Sequence, residues 1–142
     1  MDMTGLFRKF VDFTTAVHDV KYTLTKDVKA ESLPAVQYRI LEYLAVSPPV
    51  TPSEISECMH LSLPNTSREL RKLDEAGLCE RIPDTEDRRK QYIRLSDKGT
   101  AMMEEAFAWI QVRFEERTGP LTDEEKKEIE RALDLLQRKV FY

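Results

Sequence analysis

Two clusters of side chains in this 142-residue chain have the chemistry to grip a polyanion. The first is Ser62, Pro64, Asn65, Ser67, Arg68, Arg71 and Lys72, in the segment "SLPNTSRELRK". The second is Asp87, Arg88, Arg89 and Lys90, in "DTEDRRK". Arginine offers a planar fork to phosphate or to guanine, asparagine can pair with adenine, and serine can donate to phosphate. A solvated helix and a loop of mutually screened charges would tolerate the same residues. Arrangement decides between these readings, so the elements that carry them matter.

Other chemistries find less support. The chain has no Gly-rich phosphate loop, no His-Glu-x-x-His and no nucleophile elbow. Glu104 and Glu105 are neighbours on a helix, so their carboxylates diverge instead of pairing for acid–base work. The sequence is not expected to be an enzyme and calls for no cofactor. His18 and His60 are far apart and lack partners at metal-ligand spacing, so no metal is expected. Cys58 and Cys79 are the only cysteines, too few for a disulfide framework or a zinc site.

The elements follow from apolar spacing. Leu6, Phe10, Phe13, Val17, Val20, Leu24 and Val28 recur at steps of three and four, which predicts one long helix over residues 6–28. Pro34 suits the first turn of a second helix, lined by Val36, Ile40, Leu41 and Leu44. Pro48 and Pro49 stop it. Thr51, Pro52 and Glu54 then form a cap, a helix start and a capping box for a short third helix, 52–59. Ser62 caps a fourth helix, about 63–76, which Gly77 ends.

On a helical wheel, Thr66, Leu70, Leu73 and Gly77 share the inner side of this fourth helix. Pro64, Arg68, Arg71 and Lys72 fall opposite, and Asn65 and Ser67 lie at the borders. Two short β-prone runs follow, "LCERI" and "QYIRL", joined by the charged tip at 83–90. Ser96 caps a fifth helix. Thr122 and Glu125 make a capping box for a sixth, with Ile129, Leu133, Leu136 and Val140 as its stripe.

Short helix, turn, longer helix and hairpin make a winged helix-turn-helix. The fold class is mainly α, in the α+β sense, with long terminal helices. Three segments are expected: an N-terminal helix at 1–32, a winged lobe at 33–96 (fourth helix about 63–76, wing about 78–95), and C-terminal helices at 97–142. The net charge is −4 and the pI about 5.3, which argues mildly against indiscriminate nucleic-acid binding. From Pro64 to Arg94, eight bases stand against seven acids, so that stretch is +1 and the remainder −5. No apolar run approaches the roughly 20 residues of a membrane span, and no secretory signal opens the chain, so no membrane role and a cytoplasmic location are expected.

The stretch "SLPNTSRELRKLDEAGLCERIPDTEDRRKQYIRLSDKG" resembles the recognition helix and wing of the MarR family of bacterial transcription regulators. The matching features are Leu73 before an acidic residue, Gly77-Leu78, Arg81, the "DRR" of the wing and "LSDKG". The resemblance implies a transcriptional regulator, most often a repressor, that binds a pseudo-palindromic double-stranded DNA operator as a homodimer. The seams of the first, fifth and sixth helices, which have too few partners within one chain, fit such a dimer; packing within one chain is the other reading. Half-sites would lie about one helical turn, ~34 Å, apart. The resemblance also implies a wing arginine in the minor groove held by an aspartate, at positions Arg89 and Asp87, with Arg88 and Lys90 on flanking phosphates.

Many such regulators release DNA when a small phenolic or lipophilic molecule binds, and Tyr38, Met102, Met103 and Phe107 are the candidate pocket walls, with ordinary core packing the other reading of each. Others respond to thiol oxidation. That subgroup carries a cysteine early in the first helix, where this chain has Phe7, Phe10 and Phe13. Cys58 and Cys79 are the remaining redox candidates. A winged-helix module that binds protein instead of DNA is the alternative from a different class.

Overall fold

The computed structural model describes residues 2–28 and 32–142. Six helices and one hairpin follow in the order α1 (Gly5–Thr25), α2 (Ala35–Ala45), α3 (Pro52–Met59), α4 (Leu63–Glu75), β1 (Cys79–Pro83), β2 (Gln91–Leu95), α5 (Asp97–Thr118) and α6 (Asp123–Lys139). The architecture is mainly helical with a winged helix-turn-helix at its centre. The chain divides into two compact units, residues 1–110 and 111–142.

In the first unit, one apolar core joins the helix-turn-helix to the wing. Ile40 and Leu41 of α2, Ile55 of α3, Leu70 and Leu73 of α4, Leu78, Ile93 of β2 and Met103 of α5 are all essentially fully buried. Burial of a leucine side chain stabilises by about 2 kcal/mol, so Leu70 and Leu73 anchor one face of α4 firmly. Thr66 completes that face, and its Oγ1 donates to the Ser62 carbonyl at 3.0 Å. The helical wheel puts Gly77 on the same face. It is exposed instead, because it lies past the helix end with φ +75°, where it allows Leu78 N to reach the Leu73 carbonyl at 3.0 Å.

The expected caps form, with two adjustments. Thr51 Oγ1 accepts from Glu54 N at 3.2 Å, without the reciprocal bond of a capping box. Pro34 sits at the N-cap of α2, one position before its first turn. The helix-turn-helix turn runs through His60 at φ 56°, a left-handed conformation that glycine usually takes. Leu61 N still closes on the Ser56 carbonyl at 3.1 Å, and Ser56 Oγ donates to the Leu61 carbonyl at 2.6 Å.

The wing is antiparallel, with Cys79 opposite Leu95 and Pro83 opposite Gln91. Its inner strand is tied to the helices by the segment ahead of α3. Val50 N donates to the Ile93 carbonyl at 3.1 Å, and Ile93 N to the Val50 carbonyl at 2.6 Å. The "SDKG" segment is a clasp. Ser96 Oγ donates to the Gly77 carbonyl at 2.6 Å and accepts from Gly99 N at 3.0 Å, while Lys98 Nζ donates to the Ala76 carbonyl at 2.9 Å.

α1 ends earlier than its apolar period suggests. The helix stops at Thr25, Asp27 turns through φ 62°, and Val28 is buried beside Ala106 from outside the helix. None of the residues of α1 is buried.

The second unit contains the last turns of α5 and all of α6, and α6 too buries no residue. Thr122 and Glu125 form the reciprocal capping box at 3.1 Å in both directions. The bond from Thr122 N holds the Glu125 carboxyl below its usual range. Phe114, Leu121, Ile129 and Leu133 line a cleft of about 730 Å³ within this unit. No helix among the described residues is long and apolar enough to cross a membrane.

Candidate nucleic-acid interface

With Thr66, Leu70 and Leu73 committed to the core, the opposite face of α4 is presented outward. Ser62, Pro64, Asn65, Arg68, Arg71 and Lys72 are exposed, and Ser67 is half-buried. Ser62 is also the N-cap, its Oγ accepting from Asn65 N at 3.2 Å. Pro64 suits the first turn because no helical N–H is lost there. Among the described residues, Arg68 and Arg71 have no carboxylate partner, whereas Lys72 Nζ lies 3.6 Å from Glu69 Oε1.

The wing tip brings the second cluster against this helix. Arg88, Arg89 and Lys90 line a groove of about 580 Å³ together with Ser67 and Leu63 of α4 and Thr51, Ser53 and Glu54 at the start of α3. The two clusters therefore meet on one surface, although some twenty residues separate them in the chain. Thr51, Ser53 and Gln91 also line the groove, and nothing in their sequence pattern marks them as site residues. The cap motif of α3 was legible, but not that its end would face the wing.

Asp87 and Arg89 are adjacent in space as well as in sequence. Asp87 Oδ1 accepts from Arg89 N at 3.0 Å and lies 3.5 Å from Arg89 Nε. The Arg89 side chain is 94% exposed. The base of the wing is braced separately. Arg81 Nε donates to Asp74 Oδ2 at 3.0 Å and its Nη1 to Gln91 Oε1 at 3.3 Å, and Arg94 Nε donates to Glu80 Oε1 at 2.6 Å. These pairs remove Arg81 and Arg94 from the set of open cations and leave Arg68, Arg71, Arg88 and Lys90 in it.

The candidate ligand wall is rearranged. Met103 is fully buried in the main core, with Tyr38, Met102 and Phe107 packed against it. Of the four, Phe107 lines a cavity. That cavity, about 430 Å³, is otherwise lined by the α1 side chains Phe13, Val17, Val20 and Leu24, with Ile110 of α5. Its rim holds an ion pair, Lys21 Nζ to Glu42 Oε1 at 3.3 Å. Apolar spacing alone does not distinguish a core wall from a cavity wall, and the α1 seam supplies the cavity.

The two cysteines separate. Cys58 is exposed. Cys79 is buried on β1, and burial pushes its thiol up to about 12, with the Asp74 charge adding to the shift and Arg81 opposing it. A thiol held neutral in this way is a poor nucleophile, so Cys79 does not fit the redox role considered for it. Among the described residues, no group of three or more His, Cys, Asp or Glu side chains is placed to hold a metal ion.

Comparison with known proteins bears on this geometry. Residues 32–90, the helix-turn-helix and most of the wing, match the model of the MarR family. The fold matches RV1404 from Mycobacterium tuberculosis with a TM-score of 0.76 at 16% identity, over 96% of this chain and 95% of that one. Streptococcus pneumoniae FabT, in a complex with DNA, matches with a TM-score of 0.66 at 18% identity, over 93% and 95%. S. aureus MepR bound to ethidium bromide matches with a TM-score of 0.64 at 20% identity, over 97% of both chains. No curated protein matches the chain in sequence.

Proposed function

We propose, from a winged lobe that carries the MarR family match, that this chain is a sequence-specific DNA-binding transcriptional regulator acting as a homodimer. The observation that carries the reading is the shared surface of α4 and the wing. The groove that receives Arg88, Arg89 and Lys90 adjoins the one face of α4 that the core leaves free. In this reading α4 enters the major groove, where Asn65 and Arg68 meet base edges and Ser62, Pro64, Ser67, Arg71 and Lys72 lie along the backbone. Arg89 enters the minor groove, whose negative potential attracts a guanidinium. Arg88 and Lys90 meet flanking phosphates, and Asp87 restrains Arg89.

The terminal helices support the dimer. Leu6, Phe7, Phe13 and Val17 of α1 are exposed, as are Leu133 and Leu135 of α6. An isolated amphipathic helix with an open apolar seam is marginal in water and gains from a partner. In this division of labour residues 1–32 and 97–142 join two copies, and residues 33–96 bind DNA. We take the regulator to be a cytoplasmic repressor without catalytic activity. The cavity lined by Phe13, Val17, Val20, Leu24 and Phe107 suits a small apolar or phenolic effector that releases the operator. FabT bound to DNA and MepR bound to ethidium bromide are consistent with both halves of this reading.

Selecting bound fragments from the source genome tests it. The expected result is enrichment of a pseudo-palindrome with half-sites about 34 Å apart. Fragments that show no enrichment over random DNA would leave the protein-binding winged helix as the better reading.

A further inference from the structure

Glu69 is the acid on an otherwise basic stretch of α4, and both of its carboxylate oxygens are engaged. Oε2 accepts from Gln37 Nε2 at 3.0 Å. Oε1 lies 3.6 Å from Lys72 Nζ, one helical turn on. The Glu69 side chain is only 21% exposed and that of Lys72 is 53%. Gln37 belongs to α2 and is one of two buried polar residues among the described residues, 8% exposed. A buried amide requires a hydrogen-bond partner, and this one points at a carboxylate on a different helix.

An ordinary pair three residues apart on a helix needs no third member. Here the carboxylate is fixed from α2, so it cannot follow the lysine wherever that side chain swings. Lys72 thus has an ion-pair partner at a fixed place, 3.6 Å from its Nζ. Arg68 and Arg71 on the same face are left open. The distinction matches what the two residue types can read. Arginine discriminates bases through its fork, whereas lysine is a compact charge on a flexible stem that meets any phosphate.

We propose that Glu69, fixed by Gln37, is a specificity-determining residue that acts by positioning Lys72, preventing it from serving as a free phosphate-seeking charge on duplexes of any sequence. The inference rests on the DNA-binding reading above. Binding to random DNA is almost wholly backbone electrostatics, so one untethered cation contributes most there. On a cognate site the register is set by base contacts, and Lys72 needs only to meet one phosphate whose place is fixed.

The test compares a duplex selected from the source genome with a random duplex, each titrated over a range of salt, for wild type, Glu69→Gln, Lys72→Gln and the double variant. The Glu69→Gln amide oxygen can still accept from Gln37, so α2 and α4 stay joined. Affinity of Glu69→Gln for random DNA is expected to rise about two- to five-fold, and its salt slope to steepen by about 0.9, one further phosphate contact. Affinity for the selected duplex is expected to change less, so the ratio between the two falls. In the Lys72→Gln background, Glu69→Gln is expected to leave that ratio unchanged. An equal rise on both duplexes would reduce Glu69 to a plain negative charge and overturn the proposal. The same fall in ratio without Lys72 would also overturn it. Failure of the DNA-binding reading is seen separately, as a wild-type protein that prefers no duplex over random DNA.

Discussion

One carboxylate oxygen, Oδ1 of Asp87, accepts the backbone N–H of Arg89 at 3.0 Å and faces its Nε at 3.5 Å. The short bond is to the backbone and the long one to the side chain. Asp87 therefore fixes the root of Arg89 and only loosely orients its tip, which stays in solvent. The acids of the wing are not mere neutralisers. Asp84 works in the same way, its Oδ1 accepting from Glu86 N at 2.9 Å, so two aspartates shape one turn.

The wing geometry predicts an order of effects. Arg89→Ala should lower affinity for a selected operator about ten-fold, the scale of one specific groove contact, without changing the number of chains that associate in solution. Asp87→Ala should lower it less, because an exposed ion pair contributes little and the arginine itself remains. Fluorescence anisotropy with a labelled duplex measures both. Unaltered affinity for Arg89→Ala would remove the wing from the interface.

The cysteines give a prediction with a sign in pH. Cys79 is held as a neutral thiol by burial, up to about 12 from an ordinary value near 9. The folded protein therefore keeps a proton that the unfolded chain loses. That stability is fully present below about pH 9 and is lost as pH rises toward 12. Denaturant unfolding across this range should show the decline, and Cys79→Ala should flatten it. At neutral pH a maleimide should label Cys58, which is exposed, and leave Cys79 unlabelled until the protein unfolds. Labelling of Cys79 in the native protein would show that β1 opens.

Much of the winged lobe was legible because local rules and burial agree there. Leu70 and Leu73 lie on the inner face of α4 as their spacing requires, and Ser62, Thr51 and Thr122 all cap the helices they precede. The hairpin follows from two short β-prone runs and a charged tip, but its first strand runs on through Pro83, which the tip was expected to hold and which pairs with Gln91 at the edge of the ladder. The errors come where a local pattern has two tertiary outcomes. Val28 continues the period of α1 but reaches the interior from a turn. Met103 and Phe107 share one apolar stripe, yet one is core and the other reaches a cavity. His60 in a left-handed turn carries no glycine to announce it. The Gln37–Glu69 bond joins residues 32 apart, and nothing local marks either as the other's partner.

Gly99 offers a case in which helix propensity and packing point in opposite directions. It lies in the first turn of α5, where alanine is favoured over glycine by up to about 1 kcal/mol. Yet a Cβ at this position would overlap the Leu78 carbonyl oxygen and crowd the Leu78 carbonyl carbon. These are backbone atoms, and Leu78 O also accepts from Ser96 N at 3.0 Å, so neither side can yield without opening the clasp between α4 and α5. Forcing a methyl group into such a contact typically costs about 1–3 kcal/mol, which outweighs the propensity gain. Gly99→Ala should therefore lower the unfolding midpoint. Gly5→Ala, in the first turn of α1 with open space around its Cβ, should not. A Gly99→Ala protein as stable as wild type would mean that Ser96, Lys98 and Gly99 do not form the rigid junction from which the wing and α5 depart.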